Sequence, residues 1–364
     1  MSGKKALENE RITLRMLANH LGLSLTTVSV VVSDSPAARA IPLATRKRVL
    51  AAAHELHYQP NYFAQALRKR RSMSVGVLVP ELSEGYFTLV MNGVEEYLLG
   101  ARYFYFLASH YWQKSLLEQY PRMLMERSVD GILLLNTPMP ARVQVPMVSI
   151  PGHEALPGGT SIQLNHKQAA HLALEHLADL GHRRIVFMKG QEQTLDTECR
   201  WREIMEIAQA RGIEIHDDLL IRLTENRWSP DLGYGPVKAL LSRTLDFTAI
   251  FAFNDTAAIG AIRALHEAGL RVPDDVSVIG FDDIMSSSFG IPSLTTVRQP
   301  LREMGKAGAE LLLKRINHPK AHHPQQVIME PELVIRESTA SAALRHASSG
   351  RRKQAGPIAS AGRG

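Results

Sequence analysis

The chain has one cysteine in 364 residues, Cys199, which excludes an internal disulfide and fits a reducing compartment. No apolar run is long enough to span a bilayer. The start, Met1-Ser-Gly-Lys-Lys, is polar and leads into no signal-peptide core, so a cytoplasmic, nucleoid-associated protein is expected. Catalytic signatures are also missing: no glycine-rich phosphate loop followed by Lys-Ser/Thr, no Gly-x-Ser-x-Gly elbow, no His-Glu-x-x-His helix, and no companion motif for Cys199. The sets His166, His171, His176 and His318, His322, His323 do not put a convincing ligand group on one helical face. No enzyme activity, metal or cofactor is therefore expected.

What the chain does have is charge gathered at one end. Residues 1–72 carry twelve Lys or Arg and four Asp or Glu, a net of +8, whereas residues 73–340 carry a net of −7. A basic head on an acidic body is what attraction to phosphate at one end requires. Taken alone, Arg46, Lys47, Arg48, Arg68, Lys69, Arg70 and Arg71 read equally as a solvated face and linker. The stretch 341–364 is rich in Ala, Ser, Gly and Arg, has five basic and no acidic residues, and reads as a disordered basic tail.

Residues 1–60 read as a helix-turn-helix domain. Leu14, Leu17, Ala18 and Leu21 share one helical face, Gly22 suits the turn that ends it, and Ser24 can cap a second helix beginning at Leu25. With Val28 and Val31 turned inward, Leu25, Thr26, Thr27, Ser29 and Val30 offer hydroxyls and apolar groups to base edges and thymine methyls. Thr13 stands at the start of the first helix as a further DNA-contact candidate. Thr45 to Leu56 reads as a third amphipathic helix. Pro60 stops it, and Asn61 can cap a short fourth helix, Tyr62 to Leu67, inside a hinge and linker at 61–72.

From 73 to 340 the pattern alternates. Branched apolar runs (Val75–Val79, Tyr103–Leu107, Gly131–Leu135, Met147–Ile150, Arg184–Met188, Ala249–Phe253, Val276–Gly280) are separated by helical stretches such as Ala169–Leu180 and Thr256–Ala268. This order predicts parallel α/β sheets with ligands at the carboxyl ends of the strands.

These head residues, together with Val129-Asp-Gly131, Leu180-Gly-His182, Phe253-Asn254-Asp255, Gly280-Phe-Asp282-Asp283, Gln299-Pro300 with Met304-Gly305, and Pro331-Glu-Leu-Val-Ile-Arg336-Glu337-Ser-Thr339, resemble the lactose repressor / galactose repressor family. The resemblance implies an all-α helix-turn-helix head-piece with a hinge helix, and a periplasmic-binding-protein-like α/β core of two parallel-sheet subdomains joined by three crossovers. Subdomain one is expected at about 73–161 and 291–320, subdomain two at about 162–290 and 321–340. It further implies that paired hinge leucines, here Leu67, wedge into the minor groove of double-stranded operator DNA, with Asn61, Ala64 and Arg68 on the same DNA-contacting hinge.

In the core the resemblance places an effector against Phe87, Asn136, Arg200, Trp228, Asn254 and Asp282. That set suits a sugar or polyol: Arg200 forks onto neighbouring oxygens, Asp282 and the two amides take hydroxyls, and the rings cover C–H faces. Each residue has a bland competitor. Phe87 and Trp228 read also as core aromatics, Asn136 as a strand-to-helix turn, and Arg200 as an ion-pair partner. Asp283, next to Asp282 in an extended chain, points the other way and is structural.

Departures from the family pattern bear on chemistry. Pro151 stands where many sugar-binding members carry an acid, Asn165 replaces a usual Asp, Glu203 replaces a glycine, and Val30 replaces a frequent Arg or Lys. The expected function is a transcriptional regulator, a repressor in the first instance, working as a homodimer because no leucine heptad follows Thr339. The alternatives are a cytoplasmic solute sensor of the same core fold, or a regulator answering to a protein partner. Lactose-type members are induced and purine-type members use a corepressor, so the sign of the response stays open.

Overall fold

A computed structural model of the chain describes residues 12–33, 35–59, 71–83, 85–138, 143–151, 158–224 and 228–342. The chain divides into two compact units, Met1–Ser72 and Met73–Gly364. The expected hinge helix, with Asn61, Ala64, Leu67 and Arg68, lies outside the described residues, as does the chain beyond Ala342.

The smaller unit packs three helices around a miniature core. In α1 (Leu14–Leu21) the first turn is capped by Thr13, whose hydroxyl accepts the Met16 N–H at 3.3 Å. The helix ends at Gly22, where a φ of 63° suits a residue without a Cβ. In α2 (Leu25–Val32) Ser24 does the same capping job for the Thr27 N–H at 3.1 Å. A 3-10 segment, Pro36–Ala40, takes up the long connection, and α3 runs Leu43–Glu55, starting two residues before the expected Thr45. Leu17, Ala18, Leu21, Val28, Val31, Val49 and Ala52 close on one another. The Arg48 guanidinium donates to the Leu21 carbonyl, satisfying the open end of α1 and tying α3 to the turn.

In the larger unit the strands are β1 (Ser74–Val79), β2 (Phe104–Ser109), β3 (Gly131–Leu135), β4 (Met147–Ile150), β5 (Thr160–Leu164), β6 (Ile185–Lys189), β7 (Leu220–Arg222), β8 (Ala249–Phe251), β9 (Ser277–Asp282), β10 (Thr295–Arg298), β11 (Gln326–Met329) and β12 (Glu332–Val334). They form two six-stranded sheets, ordered β11-β5-β4-β3-β1-β2 and β12-β10-β9-β8-β6-β7. Every pairing is parallel except β10 with β12. β1, β3, β4, β8 and β9 are buried along their whole length, which is why they read as continuous apolar runs without alternation. No helix among the described residues is long and apolar enough to cross a membrane.

The sheets correct the expected subdomain boundaries. β10, assigned from sequence to subdomain one, lies beside β9 in the second sheet, with Thr295 opposite Ile279 and Arg298 opposite Asp282. β11, assigned to subdomain two, pairs with β5 in the first sheet. The chain therefore crosses between sheets just after Leu164, at Gln299-Pro300, and at Glu330-Pro331. The strand β10 is short and half of it is threonine, so its pattern gave no sign of which sheet it would join.

Each sheet is covered by a pair of helices that touch through glycine. α4 (Tyr86–Gly100) lies on α11 (Leu301–Asn317); a Cβ on Gly305 would meet the Val90 carbonyl oxygen at 1.9 Å, and one on Gly93 the Arg302 oxygen at 1.9 Å. On α5 (Lys114–Glu126) the Leu124 side chain fills the space that Gly76 of β1 leaves open. The second subdomain repeats the glycine device between α8 (Asp231–Leu241) and α9 (Asp255–Glu267), through Gly233 and Gly260. The obstruction in both helix pairs is backbone on both sides, so a methyl forces the helices apart. Gly305→Ala should cost about 1–3 kcal/mol of stability, as overpacked cores do. Urea unfolding checks this, and a midpoint unchanged from wild type would show that the helices can separate freely.

Candidate functional site

On the smaller unit, α2 presents one face made without charge. Leu25 is 46% exposed, Thr26 is exposed, and Thr27, Ser29 and Val30 are half-buried. Spacings of three and four residues bring Thr26, Ser29 and Val30 together beside Leu25 on one surface. The Thr27 hydroxyl is engaged with Ser24 Oγ at 2.8 Å, and Thr13 is spent in part on capping α1. Thr26 is thus the hydroxyl of this face with the fewest local duties.

In the larger unit the carboxyl ends of both sheets converge. Asn136 follows β3, Pro151 follows β4, Asp282 ends β9, and Asn254 follows β8 and caps α9 through the Ala257 N–H at 2.8 Å. α7 (Thr197–Ala210) brings in Arg200, and Trp228 stands just ahead of α8. Asn136, Arg200, Trp228, Asn254 and Asp282 all line one cavity, joined by Tyr86, Pro151, Thr194, Asp196 and Phe253. Its free volume is about 10 Å³, room for a single water. Two contacts cross it: Leu195 N–H donates to Asn136 Oδ1 at 3.0 Å, and Trp228 N–H to Glu81 Oε1 at 3.1 Å. The cleft is closed, and a ligand the size of a sugar enters only if the subdomains part.

The centre of the cavity is a buried ion pair. Arg200 and Asp196, four residues apart and both about 5% exposed, meet through Nη2. Nη1 donates to the Phe253 carbonyl at 2.8 Å, and the guanidinium lies 3.9 Å from the Phe281 ring centroid and 4.7 Å from that of Phe253. Among the described residues, the buried Arg200 Nε and Tyr86 hydroxyl have no hydrogen-bond partner. Asp282, held at φ 116°, receives the Gln299 amide at 2.6 Å. Burial first, then Asp255, pushes its carboxyl well above the ordinary range, against the pull of Arg200. Burial, then Asp196 and Asp282, does the same to the Tyr86 phenol.

Phe87 is a correction. α4 begins at Tyr86, so one helical step turns Phe87 into the core, where it is fully buried and meets Trp228 edge-on at 5.7 Å. Tyr86 takes the cavity position, and Phe87 braces the two rings from behind. Asp283 points away from Asp282 and pairs with Arg298 at 2.7 Å and Arg336 at 2.6 Å. Sequence reasoning missed Asp196, although its spacing of four from Arg200 was a usable signal. It also missed Gln299 as the partner of Asp282. Asn165, a departure from the family pattern, caps α6 (His166–Asp179) and donates to Glu330 at 3.0 Å, joining two of the crossovers.

His110 buttresses the loop beside Asn136. Its Nδ1 accepts the Trp112 N–H at 3.1 Å, so the proton sits on Nε2, which donates to Thr137 Oγ1 at 3.0 Å. Burial drives its pKa down to about 4. The folded state therefore prefers neutral imidazole, and the stability this gives is complete above the unfolded value near 6.5 and lost as pH falls toward 4. Acidification across that window should cost the wild type on the order of 2–3 kcal/mol. His110→Gln, unable to titrate, should lose that acid limb. Denaturant unfolding at several pH values decides it; equal acid slopes for the two proteins would place the sensitivity elsewhere.

The comparisons with known proteins fall on both units. A model described as bacterial regulatory proteins, lacI family, matches residues 13–61, and a periplasmic binding protein-like domain matches 174–339. The HTH-type transcriptional repressor PurR of Photobacterium profundum is 32% identical over 334 residues, covering 90% of this chain and 98% of that protein. Among solved structures, the lac repressor dimer bound to operator and the anti-inducer ONPF aligns with a TM-score of 0.79 at 26% identity, over 91% of this chain and 100% of that one. The transcriptional regulator CelR–cellobiose complex aligns with a TM-score of 0.67 at 29% identity, over 90% and 100%.

Proposed function

We propose, from the premise that this chain belongs to the lacI family of bacterial regulatory proteins, that the cleft between its core sheets binds a sugar or polyol and that this binding sets operator affinity. The chain is a DNA-binding transcriptional repressor of that family, under the control of a small-molecule effector. The observation that carries the effector reading is the buried Arg200, Asp196, Asp282 and Asn136 group at the carboxyl ends of two sheets, with one N–H donor, Arg200 Nε, and the Tyr86 hydroxyl unpartnered among the described residues.

In this reading α2 enters the major groove and sets Leu25, Thr26, Ser29 and Val30 against base edges, while Thr13, Thr27 and the basic side chains of the head hold phosphates and register. Asn61, Ala64, Leu67 and Arg68 supply the hinge contacts, Leu67 as the minor-groove wedge. The effector populates whichever cleft state binds it more tightly, and operator affinity follows that population. The expected signature is an operator affinity that falls about a hundredfold or more between low and moderate salt. Thr26→Ala should cost roughly 1–3 kcal/mol of specific binding. Trp228→Ala should leave effector-free operator affinity within about threefold and abolish the response; Asp282→Ala should abolish the response as well. Arg200→Ala is a poorer probe, because it strands Asp196 as a buried charge. Operator selected from a random library, titrated with and without sugars, polyols and purines, tests all of this. A full effector response in both cleft variants would move the effector out of this cleft.

The protein acts as a homodimer in this scheme, a state supported by the lac repressor dimer with which it aligns. Met285, Phe289 and Ile291, on and beside α10 (Met285–Phe289), are 73%, 81% and 97% exposed, and Ile291 lines a mainly apolar groove of about 650 Å³ together with Ser286 and Gly290 of the same segment. An apolar patch of this kind is more readily explained by a second copy than by solvent. Phe289→Asp with Ile291→Asp should give monomers in sedimentation and weaken operator binding at least tenfold. A double variant that stays dimeric would assign the patch to another partner.

A further inference from the structure

The electrostatics of the cleft are lopsided. Two carboxylates, Asp196 and Asp282, line it at 4% and 5% exposure, and among the described residues that line it Arg200 is the sole cation. That cation is already committed. Its Nη2 holds Asp196, its Nη1 holds the Phe253 carbonyl, and its plane lies against Phe281. An incoming phosphate or carboxylate could take the Arg200 fork only by breaking a buried ion pair, and would bring a third negative charge beside Asp282. Among the described residues Asp282 hydrogen-bonds only to a neutral amide, from Gln299, and feels Arg200 without forming an ion pair with it. A lone carboxylate in a dry site is expensive unless it gains a proton or a countercharge.

Around it stand three rings, Tyr86, Trp228 and Phe253, and the buried Tyr86 hydroxyl has no hydrogen-bond partner among the described residues. Carboxylate, unpartnered hydroxyl and aromatic faces together form a receptor for an N–H-rich cation. Pro151 adds no side-chain acceptor for a ligand hydroxyl, and its carbonyl already accepts the Ser149 hydroxyl at 3.1 Å.

We infer that the effector carries a protonated nitrogen beside its hydroxyl groups, so that an aminated sugar or polyol, not a neutral or phosphorylated one, occupies the cleft. This rests on the reading of the cleft as the effector site. The nitrogen lies against Asp282, within reach of the Tyr86 hydroxyl and over an aromatic face. Arg200 Nε takes a ligand hydroxyl and Asn136 stands at the far wall. The guanidinium thus acts mainly as a fixed support for Asp196.

The test is calorimetry on the full chain with matched probes: glucosamine, galactosamine and mannosamine, each against its parent hexose and its hexose 6-phosphate, with hypoxanthine as an uncharged purine competitor. At least one amine should bind ten- to a hundredfold tighter than its parent, the range of a charge-assisted hydrogen bond, and the phosphates should not bind. Asp282→Asn keeps the shape and removes the charge. It should weaken the amine at least tenfold while shifting the parent hexose less than threefold; a merely structural role would weaken both alike. A parent hexose, phosphate or hypoxanthine that binds as well as or better than every amine overturns the charge inference and leaves the cleft as effector site. If no amine binds, the inference also fails. An amine preference that survives Asp282→Asn, Trp228→Ala and Asn136→Ala together would overturn the cleft reading itself.

Discussion

Burying the Arg200 guanidinium is the constraint around which the rest of the core is arranged. A cation at 5% exposure is tolerated only with a counterion, a carbonyl and polarisable surfaces around it, and here these come from three separate segments: Asp196 one turn upstream, the Phe253 carbonyl after β8, and the Phe281 ring on β9. Those segments must meet for the charge to be accommodated. The convergence of strand ends that makes the cleft and the satisfaction of this one residue are the same event. Replacing the group by hydrocarbon would be thermodynamically easier, so its presence argues for recognition and not for stability.

Much of the head could be read from residues alone because its signals are local. Ser24 is a cap, Gly22 is a left-handed terminator, and Val28 and Val31 turn inward, each decided within four residues of chain; the Thr13 cap, equally local, was read only as a DNA contact. The core was legible where burial made runs continuous, as in β1, β3 and β9, and much less so where strands were short. β10 and β11 were placed in the wrong subdomains because the partner of a parallel strand is chosen by distant segments, and nothing in Thr295–Arg298 or Gln326–Met329 records it. The exchange of Phe87 for Tyr86 has a similar cause. Two adjacent aromatics at a helix start differ by a rotation of about 100°, and the residue at which α4 begins decides which of them faces the cleft. Asp196 was missed because a carboxylate near a helix start reads as a solvent-facing residue unless its partner is known to be buried.

The crossovers connect the cleft to the motion it requires. A closed cavity of about 10 Å³ must open for a ligand, and the sheets can part only by bending where the chain passes between them. One of those passages contains Gln299, whose amide donates to Asp282. The other two are tied to each other, since Asn165 N–H donates to the Met329 carbonyl at 2.8 Å and its side chain donates to Glu330.

A ligand group that competes for Asp282 therefore acts directly on a hinge residue, and the energy of that contact is available to bias closure without a relay through the sheets. If the nitrogen of an effector takes the Asp282 oxygen that faces the cavity, Gln299 keeps the other and the crossover is held in the closed geometry. If a ligand draws the carboxylate away from Gln299, the same crossover is released. Either outcome is set at one side chain, held at φ 116° between a strand end and a crossover.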